Sequence, residues 1–273
     1  MKSRAALVAP FLARRIWNRT PFRAELVECT GCGFAFYNPR LEPEEEQRLY
    51  AGYRNGEYQR TRHLFEPYYT EAFNADLFSE ETMRRRQDAL KRLLSPHLSN
   101  VDVRSILDFG GGRGQLISDL IPCAARYVYD ISEADPIAGS CKLKSLAECR
   151  SHEYGLIICS NVLEHIAFPR DIMRDIAGIA SPGTLIYLEV PHEHPFSLRA
   201  KLQRLIDQLS LLARRPRVAV SLAGVGMWHV MHEHVNFFSR AALGQLASST
   251  GLKIQASGVY SADAEMLWTL AQP

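Results

Sequence analysis

No apolar run in this sequence approaches the roughly 20 residues that a membrane-spanning helix needs. Cysteine is scarce, six in 273 residues, and shows no framework spacing. That excludes a disulfide-stapled secreted domain and fits a reducing compartment, so a cytoplasmic location is expected. Excess charge is also lacking: 32 Lys and Arg stand against 30 Asp and Glu, a net +2. No broad electrostatic footprint for nucleic acid follows from such a balance. Met1–Arg23 lacks acids altogether and carries six bases, Lys2, Arg4, Arg14, Arg15, Arg19 and Arg23. Its apolar part, Ala5–Ala13, is interrupted by Pro10 and is short and poorly flanked for a secretory signal, while a transit-type leader stays open.

A further absence lies inside the most informative stretch. Residues 106–114 read Ile-Leu-Asp-Phe-Gly-Gly-Gly-Arg-Gly, a short strand that ends at Asp108 and breaks into a glycine turn. Gly110, Gly112 and Gly114 permit positive φ and let a ligand approach the backbone. A dinucleotide loop requires Gly-x-Gly-x-x-Gly, whose last glycine packs helix on strand. Counted from Gly110, that position is Gln115, which disfavours a nicotinamide cofactor. Asp130 follows Gly110 by 20 residues and ends a second strand. It is placed to accept the hydroxyls of an adenosine ribose, the alternative being a cap for the turn at Ser132–Ala134.

Strand and helix patterns alternate after residue 103. Strands are expected over Val103–Phe109, Arg126–Asp130, residues 141–146, Tyr154–Ser160, Thr184–Val190, Leu252–Tyr260 and Glu265–Leu270. Helices are expected over Gln115–Ile121, Arg170–Ala180 and Ala241–Thr250. Such alternation predicts an α/β fold: a Rossmann-like, seven-stranded, mostly parallel sheet with helices on both faces. Ligands of these sheets lie beyond the carboxyl ends of the strands, where Asp108, Asp130 and Ser160–Asn161 fall.

These residues, with Cys159-Ser-Asn-Val-Leu-Glu-His-Ile166 and Ser181-Pro-Gly183, resemble the class I S-adenosylmethionine-dependent methyltransferases. The resemblance covers residues 80–270 and implies a methyltransferase with S-adenosylmethionine as cofactor. It assigns the methionine and ribose portion of the cofactor to Asp108, Gly110, Gly112 and Gly114, the ribose to Asp130, and the pocket lining to Asn161. Residues 76–273 form the expected catalytic domain, with a helical cap insertion at about 192–230, and residues 1–75 an extension.

Within that extension Cys29-Thr-Gly-Cys32 offers two thiolates, and a closed zinc site needs four ligands. Cys123, Cys141, Cys149 and Cys159 form no second pair. Glu28–Arg40 resembles half of the zinc ribbon that precedes some sugar and natural-product methyltransferases; either the site is degenerate or the start is truncated. A turn with two free thiols is expected, zinc on Cys29 and Cys32 being the alternative. Residues 44–75 hold Tyr50, Tyr53, Tyr58, Arg60, Arg62, Tyr68 and Tyr69; packing is the plainer reading, and by resemblance the segment folds over the cofactor and lends tyrosines to the substrate pocket.

Chemistry beyond the cofactor concentrates in Trp228-His-Val-Met-His-Glu-His-Val-Asn-Phe-Phe-Ser239. It resembles the His-Glu-His segment of sugar C-methyltransferases, which implies Glu233 and His234 near the acceptor; Met231 stands where those enzymes often carry tyrosine. Imidazole suits proton removal near neutral pH, so His234, oriented by Glu233, is the expected base, with His165 in reserve. A cation on His232 and His234 with His192 and His194 is the lesser reading, and no metal is expected there. Leu198, Leu202, Leu205, Ile206, Leu209 and Leu212 recur at helical spacing before Arg214, Arg215 and Arg217. A cap helix is expected, the arginines suiting an anionic acceptor, with a basic amphipathic surface for membrane as the sharper alternative. The expected acceptor is a small molecule of the sugar, nucleotide-sugar or secondary-metabolite kind, methylated on carbon or oxygen. A nicotinamide oxidoreductase and a non-catalytic cofactor-binding protein of the same fold remain as alternatives.

Overall fold

The computed structural model describes residues 1–53, 55–67, 69–98, 101–122, 124–132, 134–193, 195, 202, 206, 209, 213, 229–261 and 264–273. Two compact units divide the chain, the first made of Met1–Asp76, His165–Ala167 and Glu193–Ser239, the second of Leu77–Glu164, Phe168–His192 and Arg240–Pro273. Among the described residues no helix is long and apolar enough to cross a membrane.

The second unit is the α/β sheet. Its strands are β4 (Ser105–Phe109), β5 (Ala125–Tyr129), β6 (Ser140–Leu143), β7 (Leu156–Ser160), β8 (Leu185–Pro191), β11 (Lys253–Ser261) and β12 (Glu265–Gln272). They lie in the order β11-β12-β8-β7-β4-β5-β6. The five from β8 to β6 are parallel, and β12 and β11 close the edge antiparallel. Ile106, Leu156, Ile158, Leu185 and Tyr187 form one core with Leu90 and Leu94 of helix α5 (Glu80–Leu98). The alternating residues Leu107, Ile157, Ile186 and Leu188 are equally buried, so both faces are covered, as central parallel strands require. Helices α6 (Leu146–Arg150), α7 (Pro169–Ile179) and α8 (Arg240–Ser248) complete this unit. The expected helix over Gln115–Ile121 is shorter, a single 3-10 turn at Gln115–Ile117. Gly114 enters it in the left-handed conformation and Pro122 closes the apolar run beyond.

The first unit holds regular structure that the sequence patterns left unread. Strands β1 (Lys2–Val8), β2 (Arg23–Glu28), β3 (Ala35–Asn38), β9 (Val230–Met231) and β10 (Asn236–Phe237) form a second sheet in the order β10-β3-β2-β1-β9. Pro10, which interrupts the N-terminal apolar run, is the first residue of helix α1 (Pro10–Trp17), where its missing N–H costs nothing. Phe11, Leu12, Ala13 and Ile16 of that helix are buried with Ala6, Val8, Leu26 and Tyr37. Residues 2–17 are therefore structural members of this unit. Helices α2 (Pro43–Tyr50), α3 (Gly56–Phe65) and α4 (Glu71–Leu77) follow in the chain.

Of the expected cap insertion, Leu202, Ile206, Leu209 and Ala213 are described and helical. His194, Leu198, Leu205, Leu212, Arg214, Arg215, Arg217 and Trp228 lie outside the described residues, as do Tyr68 and Cys123.

Candidate functional site

In the α/β unit the chain runs from β4 outward through β5 and β6, then returns with β7 on the other side of β4. A crevice opens at the carboxyl ends wherever strand order reverses in this way. The glycine turn follows β4 at that point. Gly112 has φ +58, and a Cβ there would meet nothing within 4 Å, so the space above the turn is open. Gly111 has the opposite problem: a Cβ would collide with the Asp108 carboxyl. The loop thus crosses directly over that side chain, a requirement the spacing of Gly110, Gly112 and Gly114 did not reveal.

Asp108 is 1% exposed, and its Oδ2 has no hydrogen-bond partner among the described residues. Burial pushes its carboxyl up to about 7, with Arg86 opposing the rise and Asp130 adding to it. Asp130, just past β5, accepts from the Gly112 N–H at 2.8 Å and the Ser132 N–H at 2.7 Å. It caps the following turn and ties β5 to the glycine loop at once. Asn161, at the end of β7, takes φ +55; its N–H donates to the Glu189 carbonyl at 3.0 Å, and its buried Oδ1 has no partner among the described residues. Open space, two unpartnered acceptors and an oriented carboxylate at neighbouring strand ends fit an adenosine-bearing ligand.

Beside these residues lies a buried carboxylate that the sequence reading passed over. Glu189 of β8 accepts from Ser160 Oγ at 2.7 Å and Arg86 Nη2 at 3.1 Å on one oxygen. Tyr187 and Tyr260 hydroxyls donate to the other at 2.8 and 2.5 Å. With both oxygens filled, Glu189 locks the ends of β7 and β8 to α5. The signal was a lone acid inside the apolar run of β8.

In the other unit the segment His232–Val235 joins β9 to β10, which lie on opposite edges of the sheet. The segment bends at Glu233, and the Tyr37 N–H of β3 donates to Val235 O at 2.9 Å. Arg40 and Asn236 fasten His165–Ala167 to it: Arg40 Nε donates to Ala167 O at 2.8 Å, Arg40 Nη2 to Asn236 Oδ1 at 2.7 Å, and Asn236 Nδ2 to Ile166 O at 2.6 Å. The His165 and His234 rings consequently meet edge to face, 4.8 Å between centroids.

Each of the three imidazoles has a partner at Nδ1. For His165 it is the Glu233 carbonyl at 3.2 Å, for His232 Glu66 at 2.9 Å, for His234 Glu193 at 2.8 Å. The expected orientation of His234 by Glu233 is corrected here. The Glu233 carboxylate instead faces Arg62 Nη1 at 2.5 Å and the Tyr58 hydroxyl. Burial opposes ionisation of Glu233, but Arg62 foremost, then His165, holds it below the usual carboxylate range. Glu66 is likewise buried, and His232 and Arg62 bring it down to about 2. Tyr58 is pushed well up by burial and by Glu233, so it serves as a donor and not as a base. The lesser reading of a cation on His232 and His234 with His192 and His194 finds each of the three described rings on a different carboxylate, His192 on Glu265, while His194 lies outside the described residues.

Cys29 and Cys32 flank a tight turn in which Gly33 N–H donates to Cys29 O and Cys29 N–H to Phe34 O, both at 2.8 Å. Backbone N–H groups of Cys32 and Gly31 lower the Cys29 thiol. Among the described residues no third histidine, cysteine or carboxylate gathers with this pair.

The methyltransferase domain family matches residues 78–257. A curated relative, the ubiquinone biosynthesis O-methyltransferase of Aeromonas salmonicida, is 23% identical over 176 residues, covering 58% of this chain and 67% of that protein. Magnesium protoporphyrin IX methyltransferase from Synechocystis, solved with bound SAH, superposes with a TM-score of 0.52 at 15% identity, over 83% of this chain and 98% of that one. The 1,6-didemethyltoxoflavin-N1-methyltransferase of Burkholderia thailandensis gives 0.53 at 11% identity, over 91% and 94%. A turn of this shape at the switch point and a family match over most of the sheet agree: the chain belongs to the methyltransferase domain family and is a class I S-adenosylmethionine-dependent enzyme.

Proposed function

We propose that this enzyme methylates a hydroxyl group of a small molecule, with an imidazole of the His165–His234 pair taking the hydroxyl proton. Bound S-adenosylmethionine supplies a sulfonium methyl that is already electrophilic. In this reading Asp108, Gly110, Gly112, Gly114 and Asn161 receive its methionine and ribose portions, and Asp130 takes the ribose hydroxyls. Residues 76–273 serve as the catalytic domain and residues 1–75 as its extension.

The observation that carries the proton-transfer part is the engagement of Nδ1 on both rings. A carbonyl or carboxylate oxygen only accepts, so each Nδ1 carries the proton and each neutral ring keeps its lone pair at Nε2. Glu193, itself lowered by its bond to His234 against the effect of burial, orients His234 as a carboxylate orients a base. His165 follows Asn161 by four residues in the chain. Glu193 and Glu233 lie by these rings and Glu66 by the neighbouring His232, with Arg62 as the counter-charge, an environment that favours a neutral hydroxyl over an anionic acceptor. A sugar or another secondary-metabolite precursor carries such a group, and a cytoplasmic pool of it completes the reading.

Transfer of labelled methyl from S-adenosylmethionine to a panel of glycosides, phenols and their carboxylate analogues tests this. Turnover of hydroxyl acceptors that falls roughly 10²–10⁴-fold in His234→Gln, with SAH affinity retained, supports it. Full turnover in both His234→Gln and His165→Gln would contradict it, and cofactor binding without transfer to any acceptor would favour a non-catalytic protein of this fold.

A further inference from the structure

Helix α3 carries Tyr58 and Arg62 four residues apart, and Glu66 caps it after four more, so all three share one face. They make a continuous buried chain. The Tyr58 hydroxyl donates to Glu233, Arg62 Nη1 lies 2.5 Å from Glu233, Arg62 Nε donates to Glu66 at 2.5 Å, and Glu66 meets His232 Nδ1 at 2.9 Å. The Arg62 guanidinium stacks 3.8 Å from the Tyr69 ring centroid, which fixes its plane. Tyr58, Arg62, Glu66 and Glu233 are all less than 8% exposed.

Nothing in a sheet ladder holds His232–Val235 at its middle, because the strand pairings end at Met231 and resume at Asn236. Val235 at its far end is buried in the core and its carbonyl accepts from the Tyr37 N–H; the middle is anchored by the buried Glu233 side chain, and the Glu233 carbonyl is what His165 Nδ1 meets. We propose that Arg62 is the positioning residue of the histidine cluster: by gripping Glu233 and Glu66 together, it sets the ring orientation and tautomer of His165 and His232. This rests on the reading of the imidazoles as proton acceptors only for its catalytic consequence; the positioning stands or falls by itself. A fork-shaped guanidinium can bridge two carboxylates, and an ammonium at the same place reaches them as a point charge.

Long-range proton–nitrogen spectra of the histidine rings in the full-length protein test it without any acceptor. In the parent protein His165 and His232 should show the Nδ1–H pattern when neutral. Arg62→Gln should lose that pattern at both rings, Arg62→Lys should retain it partly, and His152 in the other unit should keep its signals in each. Glu66→Gln, which leaves the Arg62–Glu233 contact in place, should disturb His232 and spare His165; this variant decides the matter if Arg62→Gln does not fold. Kinetically, Arg62→Gln should lower kcat at least about tenfold with KM and SAH affinity within about twofold. A folded Arg62→Gln with unchanged ring signals, or a Glu66→Gln that alters His165 and His232 alike, would overturn the proposal. Full turnover in the histidine variants would sink the base reading and leave this result untouched.

Discussion

The two units of this chain treat buried carboxyl groups in opposite ways. In the α/β unit Asp108 lies under the glycine turn with one oxygen unpartnered, and burial lifts it to about 7. In the five-stranded unit Glu66 and Glu233 are surrounded by Arg62, Tyr58 and His232 and are held below their ordinary range. An unsatisfied buried acceptor costs free energy unless something completes it, which is why Asp108 is included in the proposed cofactor site. A saturated carboxylate has no capacity left for a ligand and acts on its neighbours. In the proposed reading the first arrangement receives a ligand and the second holds its neighbours.

The largest expected effect falls on the held imidazoles: His234→Gln or His165→Gln should lower turnover by roughly 10²–10⁴-fold, read as initial rates at saturating methyl donor. Arg62→Met follows. Removing one partner of a buried ion pair costs about 3–5 kcal/mol, so denaturant unfolding should show a loss of that size, whereas Arg85→Ala, which breaks an exposed pair with Glu81, should cost at most about 1 kcal/mol.

On the receiving side, Asp130→Ala removes a charged acceptor worth about 1.5–3 kcal/mol and should weaken SAH binding about 10–100-fold by calorimetry. Gly112→Val should weaken it at least as much by filling the open space.

Asp108 gives a smaller effect with a defined sign. Its folded value of about 7 lies above the ~3.9 of an unfolded aspartate. The folded state therefore binds the proton more tightly, and its contribution to stability is complete below pH ~3.9 and lost as pH rises to about 7. Asp108→Asn removes that dependence. The cofactor-free variant should gain on the parent protein in melting temperature between pH 5 and pH 8. Glu66 runs the other way, its stabilisation lost as pH falls toward about 2.

The α/β unit was legible because parallel strands buried on both faces read as near-continuous apolar runs, Leu156–Ser160 and, but for Glu189, Leu185–Pro191 above all. The turn at Asp108 and the carboxylate at Asp130 follow from the same pattern. The five-stranded unit was not legible: β2 alternates exposed and buried residues under a charged sequence, and two of its strands are only two residues long. In its N-terminal run Pro10 interrupts the apolar pattern, so no regular element was read there, and only the fold makes that proline a helix start. The spacing of Tyr58, Arg62 and Glu66 was visible, but the partner Glu233 lies 175 residues beyond Tyr58. Local spacing carries no record of so distant a contact. For the same reason Glu193 was not foreseen as the partner of His234.

The receiving role of the glycine turn is tested most directly by titrating the parent protein and Asp130→Ala with SAH and, separately, with NAD. The account predicts saturable SAH binding that weakens at least about tenfold in the variant, and no binding of NAD. Binding of NAD, or SAH affinity indifferent to Asp130, would contradict it.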